Sequence, residues 1–178
     1  MNLFILDKLP QKAALYHLDK HCVKQVLETY QMLGSAVIRH GARPEQMPLT
    51  QSGRPLRGGY KNHPCTKWVG ETNKNFAWAV DLGLALAKEY TYRYGRIHAC
   101  EAGIHKLKGM SNLIPEGDLT PFAVAINEEQ TCRQNKLFDS LSVYDKYRQY
   151  YIHDKAYMAK WTRRDKPEWF IVDNKTNA

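Results

Sequence analysis

The longest regular pattern of apolar and polar positions runs from Pro10 to about Arg39. No proline or glycine interrupts it between Pro10 and Gly34, and apolar residues recur every three or four positions, which is typical of an amphipathic helix. We therefore predict one long helix that packs its apolar face on the core. That face consists of Cys22, Val23, Val26, Leu27, Tyr30, Leu33 and Val37.

A second row of side chains follows the same predicted helix on its opposite side. It places two imidazoles, two amines and a carboxylate on one stripe, because successive residues of a helix are turned by about 100°. Such groups can transfer protons, hold a phosphate or form covalent bonds through an amine. Two interpretations stay open, a catalytic site and a basic helix face that is simply solvated. The row consists of His17, Lys20, His21, Lys24 and Glu28.

Prolines and glycines remove every helical or strand period between residues 41 and 72. We predict a long basic loop there, within one domain that covers residues 1–178. A basic loop with interleaved aromatic rings suits an arm that follows a nucleic-acid backbone, and the alternative is an ordinary surface loop. The candidates for DNA contact in this loop are Arg54, Arg57, Tyr60, Lys61, His63 and Lys67.

Three further helices are predicted after the loop. Asn73–Tyr94 is apolar nearly all round, as expected for a central buried helix, and Ile97–Leu107 forms a third helix. A last helix, capped by Asp139 or Ser140, runs through Tyr151. No strand pattern is visible. The sequence therefore predicts an all-α fold, a single compact domain of about four to five helices with one long basic Gly/Pro-rich loop.

More cations lie near two of the predicted helix ends. Glu89 and Arg93 are spaced for an ion pair within one helix. Near the end of the chain, Trp161 and Trp169 flank a basic segment that either packs on the core or contacts nucleic acid. The additional candidates for DNA contact are Arg93, Lys160, Arg163 and Arg164.

Composition points to an anionic partner. The net charge is +8, from 26 Lys and Arg against 18 Asp and Glu, and 11% of the residues are aromatic. Cations hold phosphates and aromatic rings stack on bases, so DNA is the expected partner. The apolar runs fall short of the ~18 residues that a membrane span needs, and the first six residues are too short for a signal peptide. We expect a cytoplasmic protein without a membrane partner.

Several common site types do not fit the sequence. His17 and His21 are spaced like zinc ligands, but Leu18 stands where a zinc protease has its glutamate. The four cysteines are widely and irregularly spaced, as expected for reduced thiols. No nucleotide-binding glycine motif is present. We therefore expect neither a metal nor a cofactor.

Four segments carry a resemblance to a known family: NLFILDKLPQKAALYHLDKH with the helix that follows, GYKNHP, RYG and KPEWF. The first segment resembles the N-terminal region of the phage pyrimidine-dimer DNA glycosylases of the endonuclease V type, GYKNHP is similar to a segment in bacterial members of that family, and RYG and KPEWF have counterparts there. The whole chain is similar to a set of small phage proteins. The resemblance implies a compact all-α fold that grips bent DNA and flips a nucleotide out of the duplex.

The sequence departs from that family where the chemistry is done. The family's nucleophile is the amine of a threonine exposed by removal of methionine, whereas position 2 is Asn2, beside which methionine is usually retained. The arginine that follows the threonine is replaced by Leu3. The family's catalytic glutamate falls near Lys24, with Glu28 one turn later. The resemblance therefore supports the fold and DNA binding more directly than one reaction.

We hypothesise an enzyme of phage type that acts on a pyrimidine base in DNA, by excision or by modification. It would contact the phosphate backbone and a flipped pyrimidine. One alternative is an amino acid:DNA transferase that modifies a phosphomethylated thymine-derived base, with an amino acid or amine as co-substrate. Others are a DNA-binding protein or host-factor inhibitor without enzymatic activity, and a small-molecule enzyme with a cationic pocket.

Overall fold

The fold is all-α, as the sequence predicts. The computed structural model describes residues 2–172, and in that part of the chain six α-helices are joined by loops and short 3-10 turns, with no β-strand. The helices are α1 (Pro10–Tyr16), α2 (Asp19–Arg39), α3 (Pro64–Val69), α4 (Asn73–Tyr94), α5 (Glu101–Lys108) and α6 (Val143–Asp154). Within residues 2–172 no helix is both long enough and apolar enough to cross a bilayer.

The two long helices, α2 and α4, pack on each other and form the centre of the core. Gly83 of α4 lies against Thr29 of α2, so the two backbones approach closely at that point. Helices α1 and α5 pack on α4, and α3 packs on α2. The prediction that Asn73–Tyr94 is a central helix is confirmed, with Thr72 as its N-cap and Gly95 in the left-handed conformation after its last turn.

The prediction of one uninterrupted helix from Pro10 to Arg39 is wrong. His17 and Leu18 are extended, so the chain forms α1 and then α2. The guanidinium of Arg93 donates to the carbonyl oxygens of Leu15 at 3.1 Å and His17 at 2.8 Å. It thereby satisfies acceptors that the end of α1 leaves open, which stabilises the break.

Two other helices begin later than predicted. Helix α5 begins at Glu101, after a turn in which the ring of His98 accepts a hydrogen bond from the Cys100 backbone. The last helix begins at Val143, with Ser142 as its cap. The predicted caps Asp139 and Ser140 lie instead in a short 3-10 turn.

The predicted loop over residues 41–72 is docked along α2. The hydroxyl of Ser35 donates to the Gly59 carbonyl at 2.9 Å and accepts from the Gly59 N–H at 2.7 Å. Leu56 is buried against Gly34. The prediction of a loop without helix is wrong at α3. Pro64 lies in the first turn of this helix, where the backbone N–H would have no partner within the helix, so a proline is well tolerated.

The N-terminal segment is buried beneath the helices from residue 2 onward. Leu3, Ile5 and Leu6 are almost completely inaccessible.

The indole of Trp161 donates to the Tyr16 carbonyl at 3.0 Å, and the ring of Trp169 contacts those of Tyr16 and Tyr151. The alternative in which this basic segment packs on the core is thus the one that the structure adopts.

Candidate active site

A polar pocket of about 270 Å³ opens where the N-terminal segment crosses α2. Helix α2 supplies one wall, the N-terminal segment supplies the floor, and the chain around residue 125 and the end of α6 close the other sides. The pocket brings together three of the five residues of the predicted stripe. Its lining residues are Asn2, Phe4, His21, Lys24, Gln25, Glu28, Ala125, Asn127, Tyr150 and Lys155.

Glu28 is the buried acid of this pocket, with 6% of its surface exposed. Its Oε2 accepts hydrogen bonds from the Asn2 backbone nitrogen at 3.1 Å and from Gln25 Nε2 at 2.6 Å. Its Oε1 lies 3.3 Å from Lys24 Nζ, and the Lys24 side chain is 66% exposed. The pocket therefore places a fixed carboxylate beside an amine that a substrate can reach.

Asn2 is held rigidly beside that carboxylate. Its Nδ2 donates to the Ala125 carbonyl at 2.8 Å, and its Oδ1 accepts from the Tyr147 hydroxyl at 2.8 Å. The Cys65 thiol of α3 also points at Oδ1, 3.6 Å away. These contacts connect the N-terminal segment to α3 and α6, which fixes the floor of the pocket.

His21 lines the pocket as a neutral ring. Its Nδ1 lies 2.7 Å from the hydroxyl of Tyr151, and its ring stacks on Phe4 with 4.2 Å between the ring centres. Burial lowers the pKa of His21 to about 3, and the nearby charges of Lys155 and Lys24 act in the same direction. The imidazole is therefore uncharged at neutral pH.

The other two members of the predicted stripe lie outside the pocket. His17 is completely buried, and its Nδ1 contacts the Ala13 carbonyl at 2.7 Å. Burial lowers the pKa of His17 to about 4, so it is neutral as well. Lys20 is exposed and lines neither this pocket nor its neighbour. The stripe is thus divided between the core, the pocket and the open surface.

His63 approaches the site from the docked loop. Its Nδ1 accepts a hydrogen bond from the Cys65 backbone at 3.2 Å, which caps α3. Burial lowers the pKa of His63, and the charge of Glu28 acts in the opposite direction. His63 thus caps the helix whose Cys65 thiol contacts Asn2, but it does not line the pocket.

The remaining loop candidates lie on the surface. Arg54, Arg57, Lys61 and Lys67 are exposed, and Tyr60 is 64% exposed with a left-handed backbone. The loop carbonyl of Lys61 accepts a hydrogen bond from Arg39 at the end of α2. The structure therefore leaves these side chains accessible to a phosphate backbone, on a loop that is fastened to the same helix as the pocket.

The guanidinium of Arg93 is buried and cannot reach DNA in this structure. Its Nε lies 2.7 Å from Glu89, and its Nη1 lies 3.0 Å from Asp19. Arg164 donates two hydrogen bonds to Glu89, at 2.8 Å and 2.9 Å. The spacing of Glu89 and Arg93 correctly predicted an ion pair, and the expectation that Arg93 contacts DNA does not fit its burial.

Two other predicted contacts near the end of the chain are exposed. Lys160 offers its side chain to solvent, while its carbonyl accepts a hydrogen bond from the start of α2. Arg163 is exposed, has a left-handed backbone and donates to the Tyr92 carbonyl at 3.2 Å. Neither residue lines the pocket.

A second, mostly apolar pocket of about 950 Å³ adjoins the polar one. It lies between α2, the docked loop and the start of α5, and Lys24 lines both pockets. Val23 and Leu27, predicted to face the core, are 39% and 43% exposed because they form part of its wall. Their apolar side chains therefore border a cavity and do not belong to the packed interior.

Five polar residues that line the pocket were not predicted as site residues: Asn2, Gln25, Asn127, Tyr150 and Lys155. Asn2 is the one polar residue at the head of an apolar run, which was an available signal. Gln25 stands three positions before Glu28, a spacing that lets the two side chains meet on a helix. Tyr150 and Lys155 gave no signal, because only the tertiary fold brings the end of α6 to α2.

The chain matches the pyrimidine dimer DNA glycosylase family over residues 1–102, more than half of its length. It belongs to this family. The matched region contains Asn2 and Glu28 together with the whole of α1 to α4. This confirms the resemblance and indicates DNA as the substrate. No curated protein and no solved structure matches the chain.

Among residues 2–172, no group of three or more His, Cys, Asp or Glu side chains is arranged to hold a metal ion. The polar pocket itself offers an amine, a carboxylate and an imidazole, from Lys24, Glu28 and His21.

Proposed function

We propose that the polar pocket receives a pyrimidine base extruded from DNA and that Lys24 and Glu28 carry out its excision. The observation that carries this proposal is the buried Glu28 carboxylate, 3.3 Å from the accessible amine of Lys24. Membership of a DNA glycosylase family supplies the substrate class. A base inside a duplex is out of reach of such a pair, so it has to leave the stack.

The pair can take the roles of the amine and the glutamate that the resembled family uses. Asn2 N is a peptide nitrogen in this sequence and is not a nucleophile, whereas Lys24 carries a primary amine. Glu28 takes a proton from the Lys24 ammonium, and the free amine attacks C1′ of the deoxyribose. The bond from C1′ to the base breaks as the bond from C1′ to Nζ forms, and the departing base takes the proton that Glu28 received. Glu28 then moves a proton from Nζ to O4′ as the C1′–O4′ bond breaks, which opens the deoxyribose and gives the protonated imine that borohydride reduces.

DNA binding in this proposal depends on the docked loop. Arg54 and Arg57 are exposed, and the Ser35–Gly59 hydrogen bonds hold their loop against α2, the helix that carries Lys24 and Glu28. Cations on this surface neutralise phosphates and give affinity without reading sequence. The net charge of +8 acts in the same direction.

A second candidate function is transfer of an amine or amino acid to a modified thymine-derived base. The observation that favours it is the apolar pocket of about 950 Å³, which shares Lys24 with the polar pocket. An extruded pyrimidine in the polar pocket would leave this space for a co-substrate. The excision reaction requires neither the apolar pocket nor a co-substrate, so excision is the simpler of the two proposals.

The experiment that tests excision is reductive trapping. Duplex DNA that carries a pyrimidine dimer, an abasic site or a modified thymine is incubated with the protein and borohydride, and the adduct is located by peptide mass spectrometry. We expect a covalent adduct on Lys24, which Lys24→Gln abolishes. Lys20→Gln is the matched control, because Lys20 is an exposed lysine of the same helix outside both pockets.

The other outcomes separate the alternatives. An adduct on the N-terminal peptide would replace Lys24 as nucleophile while retaining excision. A gain of mass on the base, dependent on an added amine, would indicate transfer. Salt-sensitive DNA binding without any product would leave a DNA-binding protein, and activity on small molecules without DNA would contradict the DNA assignment.

A further inference from the structure

The ring of His21 is fixed by two neighbouring residues that do not belong to the predicted stripe. Tyr151 of α6 is completely buried, and its hydroxyl lies 2.7 Å from His21 Nδ1. Phe4 lies flat against the imidazole, with an angle of 19° between the rings. With one ring nitrogen on Tyr151 and one face on Phe4, the imidazole cannot turn without breaking both contacts.

The position of the imidazole proton of His21 follows from the need of the buried Tyr151 hydroxyl for a hydrogen-bond acceptor. A phenolic hydroxyl has one hydrogen to donate, and burial without an acceptor is costly. Among residues 2–172, His21 Nδ1 is the acceptor that the Tyr151 hydroxyl meets. Tyr151 therefore donates to Nδ1, and the neutral ring carries its own hydrogen on Nε2.

The backbone near Tyr151 supports this direction. Burial raises the pKa of Tyr151 well above its usual range, and the backbone of Leu18 lowers it, as an N–H donor to the hydroxyl does. If His21 also donated to this oxygen, the hydroxyl hydrogen would have no acceptor. The 2.7 Å separation between the hydroxyl and His21 Nδ1 fits donation of that hydrogen to the ring.

We propose that Tyr151 is a positioning residue that holds His21 with its Nε2–H directed to the pocket, and that His21 thereby selects a base with a carbonyl at C4. An N–H that faces the amino group of a cytosine-type base cannot form a hydrogen bond with it, because both groups are donors. Lys155 lines the same pocket and adds a donor, while Gln25, Glu28 and Asn127 add acceptors. The selection therefore depends on His21, because the C4 carbonyl of a thymine-type base accepts a hydrogen bond from Nε2–H and the C4 amino group of cytosine cannot.

The selection of the base rests on the proposed function, whereas the tautomer does not. The tautomer is therefore tested first, by nitrogen-15 NMR of the histidine rings of the intact protein without DNA. We expect a pyrrole-type shift at His21 Nε2 and a pyridine-type shift at Nδ1. In Tyr151→Phe the two shifts should move towards each other, because nothing then holds the hydrogen on one nitrogen.

Tyr147→Phe is the matched control for this measurement. Tyr147 is equally buried and lies one turn earlier on α6, but its hydroxyl binds Asn2 and not His21. It should destabilise the protein similarly and leave the His21 shifts unchanged. A pyrrole-type shift at Nδ1 in the wild type, or His21 shifts that Tyr151→Phe does not alter, would overturn the role of Tyr151.

Base selection is tested with two oligonucleotides that differ only in the base. Thymine and 5-methylcytosine, each opposite an abasic site, differ at C4 and N3 and compete for the protein. We expect a preference for thymine of about five- to tenfold, the effect of one hydrogen bond, and its loss in His21→Leu. Equal binding of both bases with the expected tautomer would overturn the selection alone. If neither base is recognised over the abasic site itself, base selection and the proposed function both fail, and the NMR result still decides the role of Tyr151.

Discussion

The Glu28 carboxylate accepts a hydrogen bond from the Asn2 backbone at 3.1 Å, although 26 positions separate the two residues. This contact joins the buried N-terminal segment to α2 at the bottom of the polar pocket. In the proposed reaction, this contact holds Glu28, one turn beyond the position expected for the family's glutamate, at the pocket. The contacts of Glu28 in the folded protein, and not its position along α2 alone, determine where the carboxylate lies.

Glu28→Gln should lower product formation by at least about a hundredfold, as the loss of a general acid–base group does. The amide keeps the size of the side chain but cannot take a proton from Lys24. Single-turnover assays with nucleoside mass spectrometry measure the effect, and DNA affinity should change little. Glu116→Gln, an exposed change far along the chain, is the control. Full activity of Glu28→Gln would remove Glu28 from the reaction.

Arg93→Met should destabilise the protein by about 3–5 kcal/mol, the usual effect of removing one partner of a buried ion pair. Arg93 contacts Glu89 and Asp19 and also binds the carbonyls at the end of α1. Urea denaturation measures the change. Arg96→Met is the matched control, because Arg96 is exposed just beyond the same helix and should stay within about 0.5 kcal/mol. Normal stability with lost DNA binding would restore Arg93 as a DNA contact.

Local signals in the sequence predicted the fold and the ion pair of Arg93, but not the burial of that pair. Helical period and capping residues predicted the all-α fold and the full extent of α4, because these signals are local. The spacing of Glu89 and Arg93 predicted their pairing for the same reason. Burial of the pair could not be predicted, since it depends on Asp19 and Arg164 arriving from distant parts of the chain.

The candidate site was also predictable only in part. His21, Lys24 and Glu28 share one face of α2, and the helical repeat was enough to group them. Their exposure was not predictable, because the break at His17 and the buried N-terminal segment decide which side of the stripe meets solvent. Asn2 and Lys155 complete the pocket through tertiary contacts that leave no pattern in the sequence.

The stability of the protein should fall as the pH decreases from about 6.5 to about 4, because the unfolded chain then binds more protons than the folded one. Burial lowers the pKa of His17 to about 4 and that of His21 to about 3, from 6.5 in each case. For His17 this difference corresponds to roughly 3 kcal/mol. The stabilisation is complete above the ordinary pKa of histidine and is lost on acidification.

His17→Met should flatten this dependence by about one proton, because the buried position no longer titrates on unfolding. Urea midpoints measured at a series of pH values give the slope. His105→Gln is the control, since His105 is exposed on α5 and should leave the slope as it is. An unchanged slope in His17→Met would mean that His17 is charged or accessible in the folded protein.

Replacing Arg54 and Arg57 by glutamine should weaken DNA binding equally for all sequences and reduce the salt dependence by about one unit per residue. Both side chains are exposed on the docked loop and lie outside both pockets. Affinities at several salt concentrations test this. Arg43→Gln is a matched change on the same loop, where Glu45 already pairs with the guanidinium at 3.0 Å. Equal effects of both changes would contradict a specific contact by Arg54 and Arg57.

Gly58→Ala should release the loop from α2 and lower the free energy of unfolding by more than about 2 kcal/mol. Gly58 has a left-handed backbone, and an added Cβ would lie 2.3 Å from the Ser35 hydroxyl and 2.7 Å from its backbone nitrogen. Gly53→Ala is the matched control, because Gly53 has the same backbone conformation in open space and should lose only about 1 kcal/mol. Denaturation and limited proteolysis of residues 41–63 measure the two effects. Equal losses in both variants would mean that docking on α2 does not stabilise the loop, and the phosphate contacts of Arg54 and Arg57 would then need another support.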